Sequence, residues 1–368
     1  MATLVFTPTL HNVIINATSF LDGNYEIVGV SSGGYSDIDS FLTGGGDDIF
    51  NWLGFGQVQA IDAGSGDDTF SVSGSGAVWD INLSTGLATD GFGTQISLTS
   101  VENATGNAED NVITGNASAN VLIGGDGFDT LSYAGSSSAV SVELSDVISV
   151  SSGDAQGDTV SGFEAAIGSA YNDNLSAFFG DFTLYGGAGD DMIQVGGGVF
   201  TVDAGDGEDT VAVAASQPAL AGSSLSGGGG LDNLQVAISN NTMDFRPLTL
   251  SGFETLLIQN DANGEVQFTA AQFAANFAFV RSAAYAGDQL ISVFMDLATQ
   301  FDLSGVTFSN FSGVNDWIVV EGDGDGETLI GSAIKDIING NGGSDLIEGG
   351  ADADVLNGGA GDDRFQIR

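Results

Sequence analysis

The stretch that decides the fold is segment 322–366, which reads GDGDGETLI GSAIKDIIN GNGGSDLIE GGADADVLN GGAGDDRFQ. It divides without gaps into five nonapeptides. Every copy has glycine at its first position, an acidic residue at its sixth and a large apolar residue at its eighth. A strict period of this kind indicates a repeat architecture, in which each unit buries its apolar side by stacking on its neighbours.

The same nonapeptide recurs upstream. The clear copies are TGGGDDIFN at 43–51, AGSGDDTFS at 63–71, GGDGFDTLS at 124–132, GGAGDDMIQ at 186–194, AGDGEDTVA at 204–212 and GGGGLDNLQ at 227–235. TGNAEDNVI at 105–113 and TGNASANVL at 114–122 read as weaker copies, and in the second of them Ala119 replaces the acidic residue.

A longer unit separates the repeat blocks. AVWDINL from Ala77 leads into LTSVENATG, and AVSVEL from Ala139 leads into TVSGFEAAIG. Each is a short alternating segment followed by a glutamate, Glu102 or Glu164, and LTLSGFETLLI places Glu254 similarly. Alternation of apolar and polar residues predicts strands, so we expect β-rich spacers between the repeats.

The residue types of the nonapeptide explain what it binds. Glycine permits positive φ and the close stacking of successive loops. The carboxylate at the sixth position can then turn into the space between stacked loops, beside backbone carbonyls that no strand uses. Calcium takes about six to eight oxygen ligands in flexible geometry, whereas magnesium demands a near-ideal octahedron. The sequence therefore predicts several Ca²⁺ ions.

The apolar eighth position predicts the core. Side chains alternate between the two faces of a strand, so the eighth residue points inward when the seventh and ninth point outward. We expect Ile338, Ile347 and Leu356 to form one internal ladder.

These residues resemble the glycine- and aspartate-rich nonapeptide G-G-x-G-x-D-x-U-x of the RTX family, where U is a large apolar residue. The resemblance implies a right-handed parallel β-roll or β-solenoid, in which two nonapeptides make one turn and each calcium ion bridges a loop to the loop two repeats on. In the C-terminal block it implies that loop one pairs with three, two with four and three with five. The acidic residues expected to contribute calcium ligands are Asp48, Asp68, Asp110, Asp129, Asp173, Asp191, Asp209, Asp232, Glu327, Asp336, Asp345, Asp354 and Asp363.

Composition excludes several classes of partner. The chain has 49 Asp or Glu residues, five Lys or Arg residues and a net charge of −44 at pH 7. Nucleic-acid binding needs a basic stripe, and an anionic membrane surface would repel this chain. No run approaches the roughly 18 apolar residues of a membrane span, so we expect no membrane insertion. Hydrophobic residues make up 42% of the chain, which is enough to bury a sizeable core.

Few catalytic groups are available. One histidine and no cysteine exclude a thiolate nucleophile, a cysteine-based zinc site and a His-Glu-x-x-His centre. GVSSG at 29–33 matches G-x-S-x-G, but a nucleophile elbow requires a later histidine and His11 precedes it. Carboxylate pairs such as Asp67 and Asp68 belong to the repeat pattern. We therefore expect that the chain is not an enzyme.

The localisation follows from calcium supply. The start, MATLVFTPTLHNVIIN, has neither the basic region nor the apolar run of a secretory signal peptide. RTX-like proteins leave the bacterial cytosol unfolded through a type I channel, and extracellular calcium modules have dissociation constants of about 10⁻⁴ to 10⁻³ M. We expect a leaderless protein at the outside of a bacterial cell. The family usually carries a secretion signal after its repeats, whereas this chain stops at 365–368, so we also expect it to be part of a longer protein.

The sequence predicts an all-β chain in four segments: 1–75 with two repeats, 76–236 with repeat blocks and spacers, a Phe-rich spacer at 237–321, and the five-repeat block at 322–368. Within the third, FTAAQFAANFAFV from Phe268 suits either a helix or two strands, with strand preferred.

Two functions fit this organisation. The alternation of repeats with GFETL-like spacers resembles the calcium-dependent portions of bacterial surface-layer proteins. The first hypothesis is therefore a surface-layer or matrix subunit that self-associates into a lattice or filament, with a cell-surface glycan as a further candidate partner. The alternative is the calcium-folded region of a larger type I-secreted adhesin or enzyme.

Overall fold

A computed structural model describes residues 14–16, 24–27, 37–38, 40–52, 57–145, 148–178, 180–214, 221–238, 241–260, 264–282, 289–311 and 316–367. His11 and the motif at 29–33 lie outside the described residues. The chain divides into two compact units, Met1–Leu175 and Ser176–Arg368. The boundary falls inside the segment 76–236, so the four sequence segments are not separate compact units.

Short strands make up the first unit. They are β1 (Ile14–Asn16), β2 (Asn24–Ile27), β3 (Asp37–Ile38), β4 (Ser40–Leu42), β5 (Ile49–Trp52), β6 (Gln57–Val58), β7 (Ala60–Asp62), β8 (Thr69–Ser71), β9 (Trp79–Asn82), β10 (Leu87–Asp90), β11 (Gln95–Thr99), β12 (Asn103–Thr105), β13 (Val112–Thr114), β14 (Val121–Ile123), β15 (Thr130–Ser132), β16 (Ser141–Leu144), β17 (Ser149–Ser151), β18 (Thr159–Ser161) and β19 (Ala165–Ile167), with a 3₁₀ turn at Gly153–Ala155. The next strand, β20 (Asn174–Ala177), begins in the first unit and ends in the second.

The second unit adds one α-helix to its strands, among the residues described. The strands are β21 (Phe182–Ala188), β22 (Met192–Val195), β23 (Phe200–Asp206), β24 (Thr210–Ala214), β25 (Ser224–Ser226), β26 (Asn233–Ile238), β27 (Thr242–Asp244), β28 (Thr249–Ser251), β29 (Thr255–Asn260), β30 (Gly264–Thr269), β31 (Phe279–Ser282), β32 (Gln289–Phe294), β33 (Gln300–Asp302), β34 (Thr307–Ser309), β35 (Trp317–Glu321), β36 (Thr328–Ile330), β37 (Asp336–Asn339), β38 (Leu346–Glu348), β39 (Val355–Asn357) and β40 (Arg364–Gln366), and the helix is α1 (Ala270–Asn276).

Each unit is a parallel β-solenoid whose core is built from the eighth positions. In the first unit Phe50 pairs with Phe70, Phe70 with Ala104 and Ala104 with Leu122, and all four are fully buried. The residues on either side of Phe50 and Leu122 are not buried, as the period of two requires, whereas Ser71 and Asn103, beside Phe70 and Ala104, are buried as well. The expected all-β parallel roll is confirmed.

The spacers are strands, as expected, and two of them reverse direction. Strand β10 pairs antiparallel with β9 on one side and with β11 on the other. The outer strands of this group then pair parallel with the rest of the sheet, β9 with β13 and β11 with β7. β16 and β17 form a second antiparallel pair. The first of these antiparallel groups lies inside its sheet, whereas β17 lies at the edge of the other sheet.

The C-terminal block forms two internal ladders and not one. Ile338 pairs with Leu356 in one sheet, whereas Ile347 pairs with Leu329 and Phe365 in another. The prediction of a single ladder was wrong because consecutive nonapeptides fall on opposite sheets. Equivalent residues therefore meet every second repeat, with two nonapeptides to each turn.

The Phe-rich segment contains the helix, so the preference for strand was wrong at 270–276. Thr269 caps the helix: its hydroxyl accepts the N–H of Gln272, and its own N–H donates to the Gln272 side chain. Phe273 is fully buried and packs edge-on against Phe268 and Phe301. Burial of this aromatic face fixes the helix. No helix among the described residues is long and apolar enough to cross a membrane.

Candidate calcium sites

Aspartates at the sixth position stack on one another through their backbones. The N–H of Asp191 donates to Oδ1 of Asp209 at 2.7 Å, and the N–H of Asp209 donates to Oδ1 of Asp232 at 2.8 Å. Each aspartate immediately precedes a strand, so the parallel stacking of strands aligns the aspartates as well. We call such a column of hydrogen-bonded acidic residues a carboxylate ladder.

A glutamate from a spacer ends this ladder. Oε2 of Glu254 accepts the N–H of Asp232 at 2.9 Å, while the N–H of Glu254 donates to the carbonyl of Asp232 at 3.1 Å. Glu102 does the same with Asp68, and Glu164 with Asp129. The three glutamates that mark the spacers in the sequence therefore have one structural role, which is to satisfy the last aspartate of a ladder.

Ladders of this kind also lie in the first unit. The N–H of Asp48 donates to Oδ1 of Asp68 at 2.7 Å. In the second ladder the N–H of Asn111 donates to Oδ1 of Asp129 at 2.7 Å. Asn111 also accepts the N–H of Trp79 through its side chain, so an amide here takes the place of a carboxylate.

The C-terminal block repeats the arrangement every second nonapeptide. The N–H of Glu327 donates to Asp345 at 2.9 Å and that of Asp345 donates to Asp363 at 3.1 Å. The N–H of Asp336 donates to Asp354 at 3.1 Å. Loop one therefore meets three, two meets four and three meets five, which confirms the expected stacking.

Several of these buried carboxylates have one oxygen without a hydrogen-bond partner. The unpaired atoms include Oδ2 of Asp68, Asp129, Asp209, Asp232 and Asp345, together with Oε2 of Glu327. These residues are at most 3% exposed, so water does not solvate the oxygen. A buried, unpaired, ionised oxygen is costly unless a cation or a proton occupies the adjacent space.

Backbone carbonyls converge on the same points. A side chain at Gly340 would collide with Oδ2 of Asp345, and its Cβ would lie 2.6 Å from the carbonyl oxygen of Gly358 in the stacked loop. A side chain at Gly124 would likewise meet Oδ2 of Asp129, at 2.8 Å. The first-position glycines therefore keep open a space in which an aspartate oxygen and a carbonyl from the next turn approach each other.

Glycines at the second and fourth positions of the nonapeptide allow successive turns to stack closely. Gly205 has a φ of 107°, and a Cβ there would collide with the carbonyl oxygen of Gly187 in the preceding turn. Gly343, with a φ of 118°, would collide with the carbonyl of Asp325. Only glycine adopts this conformation at so close an approach without strain.

Burial raises the pKa values of the ladder carboxylates. The pKa of Asp68 is raised to about 6, mainly by burial and further by the charges of Asp48, Glu102 and Asp47. Burial likewise raises the pKa of Asp209 to about 6, with Asp232 adding repulsion. Burial raises the pKa of Glu327 to about 7. These carboxylates resist ionisation because no positive charge offsets their burial, and a bound cation would supply that charge.

Most of the predicted site residues lie in these loops. Asp48, Asp68, Asp129, Asp173, Asp191, Asp209, Asp232, Glu327, Asp336 and Asp345 are buried, and Asp354 and Asp363 are partly exposed. The exception is Asp110, which is exposed and accepts the N–H of Phe128 at the surface.

The placement of Asp110 corrects the register of two repeats. In the first, Asn111 and not Asp110 stands at the ladder position, because Ile113 is the buried strand residue. In the second, Asn120 stands there and not Ala119, and its N–H donates to Oδ1 of Asp158 at 2.8 Å. The true units are GNAEDNVIT and GNASANVLI, shifted by one residue because the apolar pair at their ends allowed two alignments.

Sequence reasoning missed other ladder residues. Asp158 lies in GDAQGDTVS at 153–161, where the Gly, Asp and Val positions give a detectable nonapeptide. Asp316 accepts the N–H of Gln289 at 3.1 Å and precedes the buried Ile318. Glu102, Glu164 and Glu254 were noted as spacer landmarks, but their place at the ends of ladders has no signal in the nonapeptide period.

The donor set suits calcium. Among the described residues, no three Asp, Glu or His side chains converge on one point. The oxygens that do converge are one aspartate oxygen and a backbone carbonyl of the stacked loop, as Oδ2 of Asp345 and the carbonyl oxygen of Gly358 do beside Gly340. Hard, mostly neutral oxygens in a flexible loop are ligands that Ca²⁺ accepts. The carboxylate would supply charge and the carbonyls the remaining coordination.

Comparison with protein families agrees with this chemistry. The family described as RTX calcium-binding nonapeptide repeat (4 copies) matches residues 100–131, 158–193, 183–211, 321–356 and 330–365. These segments include ladder aspartates of both units, such as Asp129, Asp209 and Asp345, whereas Asp48, Asp68 and Asp232 lie outside them. A search of curated proteins found no match to the chain.

Proposed function

Because the chain is an RTX protein that binds several calcium ions through its nonapeptides, we propose that it is an extracellular structural subunit of a bacterial surface layer or matrix, whose folding and assembly depend on calcium. The proposed role is structural and not catalytic. The observation that carries the proposal is the place of the unpaired carboxylate oxygens. They lie in the stacking contacts of both compact units, so calcium acts on the scaffold itself.

Like charges make folding depend on the ion. Asp68 is buried and repelled by Asp48, Glu102 and Asp47. A ladder therefore brings carboxylates together that would separate in an extended chain. Calcium that binds only the folded loops stabilises them by mass action, and the stabilisation increases with the free calcium concentration.

The affinity expected of such loops supports an extracellular location. RTX repeats are typical of proteins that leave bacteria by type I secretion. Extracellular calcium modules have dissociation constants of about 10⁻⁴ to 10⁻³ M, so their sites are empty in the cytosol and filled outside. A chain that folds only after export would pass through a narrow channel unfolded.

The surface charge supports calcium-dependent contacts between copies. A second row of acidic residues lies outside the buried ladder: the N–H of Asp67 donates to Oδ1 of Asp47 at 2.9 Å, and that of Glu208 to Oδ1 of Asp190 at 3.0 Å. With a net charge of −44, two copies repel each other at low ionic strength. Divalent cations bound between such rows would relieve the repulsion.

A calcium titration of the purified chain tests the proposal. Circular dichroism measures folding, and light scattering with electron microscopy measures assembly in the same samples. We expect β-structure to increase as the nonapeptide loops order, followed by ordered particles that a chelator dissolves. Folding without any particles would reject the assembly role and favour the calcium-folded region of a larger secreted adhesin or enzyme.

A further inference from the structure

Two loops close with a serine at the second position of the nonapeptide. In the loop 331–339 the N–H of Ser332 donates to Oδ2 of Asp336 at 2.7 Å, and the serine hydroxyl lies 3.0 Å from the same oxygen. The oxygen that is unpaired in other ladders is therefore satisfied here by the protein. Asp336 is fully buried, so the pairing replaces solvent as well.

The loop 168–176 repeats this pairing in the first unit. The N–H of Ser169 donates to Oδ2 of Asp173, and its hydroxyl donates to Oδ1 at 2.8 Å. Ser169 is 4% exposed and Asp173 is 3% exposed. Two loops distant in the sequence thus share the letters GSA at their first three positions and the same closure.

Two further loops close with a pair of asparagines. The side-chain amide of Asn111 donates to Oδ1 of Asn107 at 3.0 Å, and that of Asn120 donates to Oδ1 of Asn116 at 3.1 Å. The Asn120 amide also donates to the carbonyl of Glu102 at 2.7 Å. An N–H₂ group here occupies the oxygen-lined space, and it bonds oxygens that a cation would otherwise coordinate.

The backbone of the second residue separates the two kinds of loop. At Gly125, Gly205 and Gly228 φ is positive, and the aspartate four residues later has an unpaired oxygen. Asn341 shows that this is not a matter of residue type alone. Its φ is 64°, its side chain turns to the carbonyl of Gly322, and Oδ2 of Asp345 is unpaired.

Ser169 and Ser332 lie outside the left-handed region. With a negative φ, the N–H and the side chain of the second residue point at the sixth residue of the same loop. In these two loops the serine hydroxyl adds a second donor. In loop 322–330, where Asp323 also lies outside the left-handed region, its N–H reaches only Oε1 of Glu327 and Oε2 stays unpaired.

We propose that the loops 106–114, 115–123, 168–176 and 331–339 are closed by their own side chains and take no calcium, through a serine at the second position or an asparagine pair at the second and sixth positions. The proposal rests on calcium binding by the repeats, but not on assembly. These ion-free loops lie among calcium loops, so each solenoid keeps turns that stack before the ion arrives. Asp173 and Asp336 are then structural acids, although the sequence pattern marks them as ligands.

Matched substitutions in the full-length chain test the proposal. Asp336→Asn and Asp345→Asn remove the same charge from neighbouring repeats, and bound calcium is counted by equilibrium dialysis with atomic emission. We expect Asp336→Asn to bind as many ions as the parent chain, and Asp345→Asn to bind at least one fewer. Equal losses in the two variants would overturn the proposal.

A gain-of-site variant covers the case in which Asp345→Asn does not fold. Ser332→Gly removes the hydroxyl donor and permits the positive φ that glycine has at this position in the calcium loops, so we expect one additional bound calcium per chain. An unchanged count in a folded Ser332→Gly protein would overturn the proposal. Because the readout is the number of ions, this result is independent of whether the chain assembles into particles.

Discussion

The Phe-rich segment and the C-terminal nonapeptides contribute strands to the same parallel sheet, yet their turns are held in different ways. Val293 of the first pairs with Val320, and Val320 pairs with Ile338 of the second. Beyond the strands, the Phe-rich turn is closed by a capped helix and by aromatic rings that pack edge-on. The nonapeptide turns instead close over buried carboxylates.

The difference shows two solutions to one problem of stacking. Turns in a parallel solenoid must leave their backbone polar groups in water or pair them with hydrogen-bond partners. The Phe-rich segment buries apolar surface and bonds its helix ends, so it needs nothing from solution. The nonapeptide turns have glycine where a side chain would prevent close stacking. Their buried carboxylates therefore need a calcium ion from solution to balance the negative charge.

Calcium removal should separate the two regions most strongly. In excess chelator we expect the amides of 340–348 to lose protection from hydrogen exchange, while those of 264–282 keep most of it. The reason is that only the first set is balanced by the ion. Hydrogen exchange with mass spectrometry on the full chain measures both regions in one sample, and refilling with calcium is the control.

Equal loss of protection in the two regions would contradict the comparison. It would mean that the Phe-rich turn depends on the nonapeptide stack for its own stability.

The opposite perturbation is Phe273→Ala. Removing a fully buried ring should cost about 3–5 kcal/mol of unfolding free energy at saturating calcium. Urea denaturation with calcium fixed measures the loss. Phe279→Ala, where the ring is 42% exposed, is the control and should cost much less. A matching cost at both positions would argue against an aromatic core in this segment.

Glycine substitution should have a smaller effect, specific to the stacked loops. Gly205→Ala forces a side chain into positive φ against the carbonyl of Gly187 and should cost about 1–3 kcal/mol. Gly305→Ala, which has open space around its Cβ position, is the matched control. Thermal unfolding in calcium compares them. If the two variants melt together, the loops are not stacked as closely as the structure shows.

The smallest expected effect is on pH dependence without calcium. The folded-state pKa values of Asp68 and Asp209, about 6, lie above their ordinary values near 3.8. The folded form therefore holds these protons more tightly, and their stabilising contribution is present at low pH and lost as pH rises through 6. We expect calcium-free protein to melt at a higher temperature at pH 5 than at pH 7.5.

The substitution Asp209→Asn should reduce the difference in melting temperature between pH 5 and pH 7.5, because it removes one of the titrating groups. A calcium-free protein that instead gains stability between pH 5 and 7.5 would contradict the assignment of buried, unbalanced carboxylates.

The sequence predicted the fold well where the period is strict. Positions six and eight of the first three C-terminal nonapeptides, such as Asp345 and Ile347, lie buried at the loop and in the core as expected, whereas Phe365 of the last is 51% exposed. Spacing alone determines this, because a nine-residue unit with alternation at its end can stack in few ways. The resemblance to the RTX nonapeptide, and not the spacing, predicted that every second loop stacks.

The sequence predicted less where two residue types, or two secondary structures, fit the same pattern. Asp110 and Asn111 are adjacent and polar, and only packing of Ile113 shows which one faces the ladder. Asp352 replaces a glycine yet adopts its left-handed conformation, with a φ of 74°. At 270–276 the apolar spacing fitted both helix and strand, and the Thr269–Gln272 cap decided between them.

The most direct measurement of the central claim is anomalous X-ray scattering at a wavelength sensitive to calcium, from crystals of the chain grown with the ion. The account predicts peaks beside the unpaired oxygens of Asp129, Asp209 and Asp345, and none beside the amides of Asn111 and Asn120. Absence of peaks at the three aspartates, or peaks of equal height at the two asparagines, would contradict it.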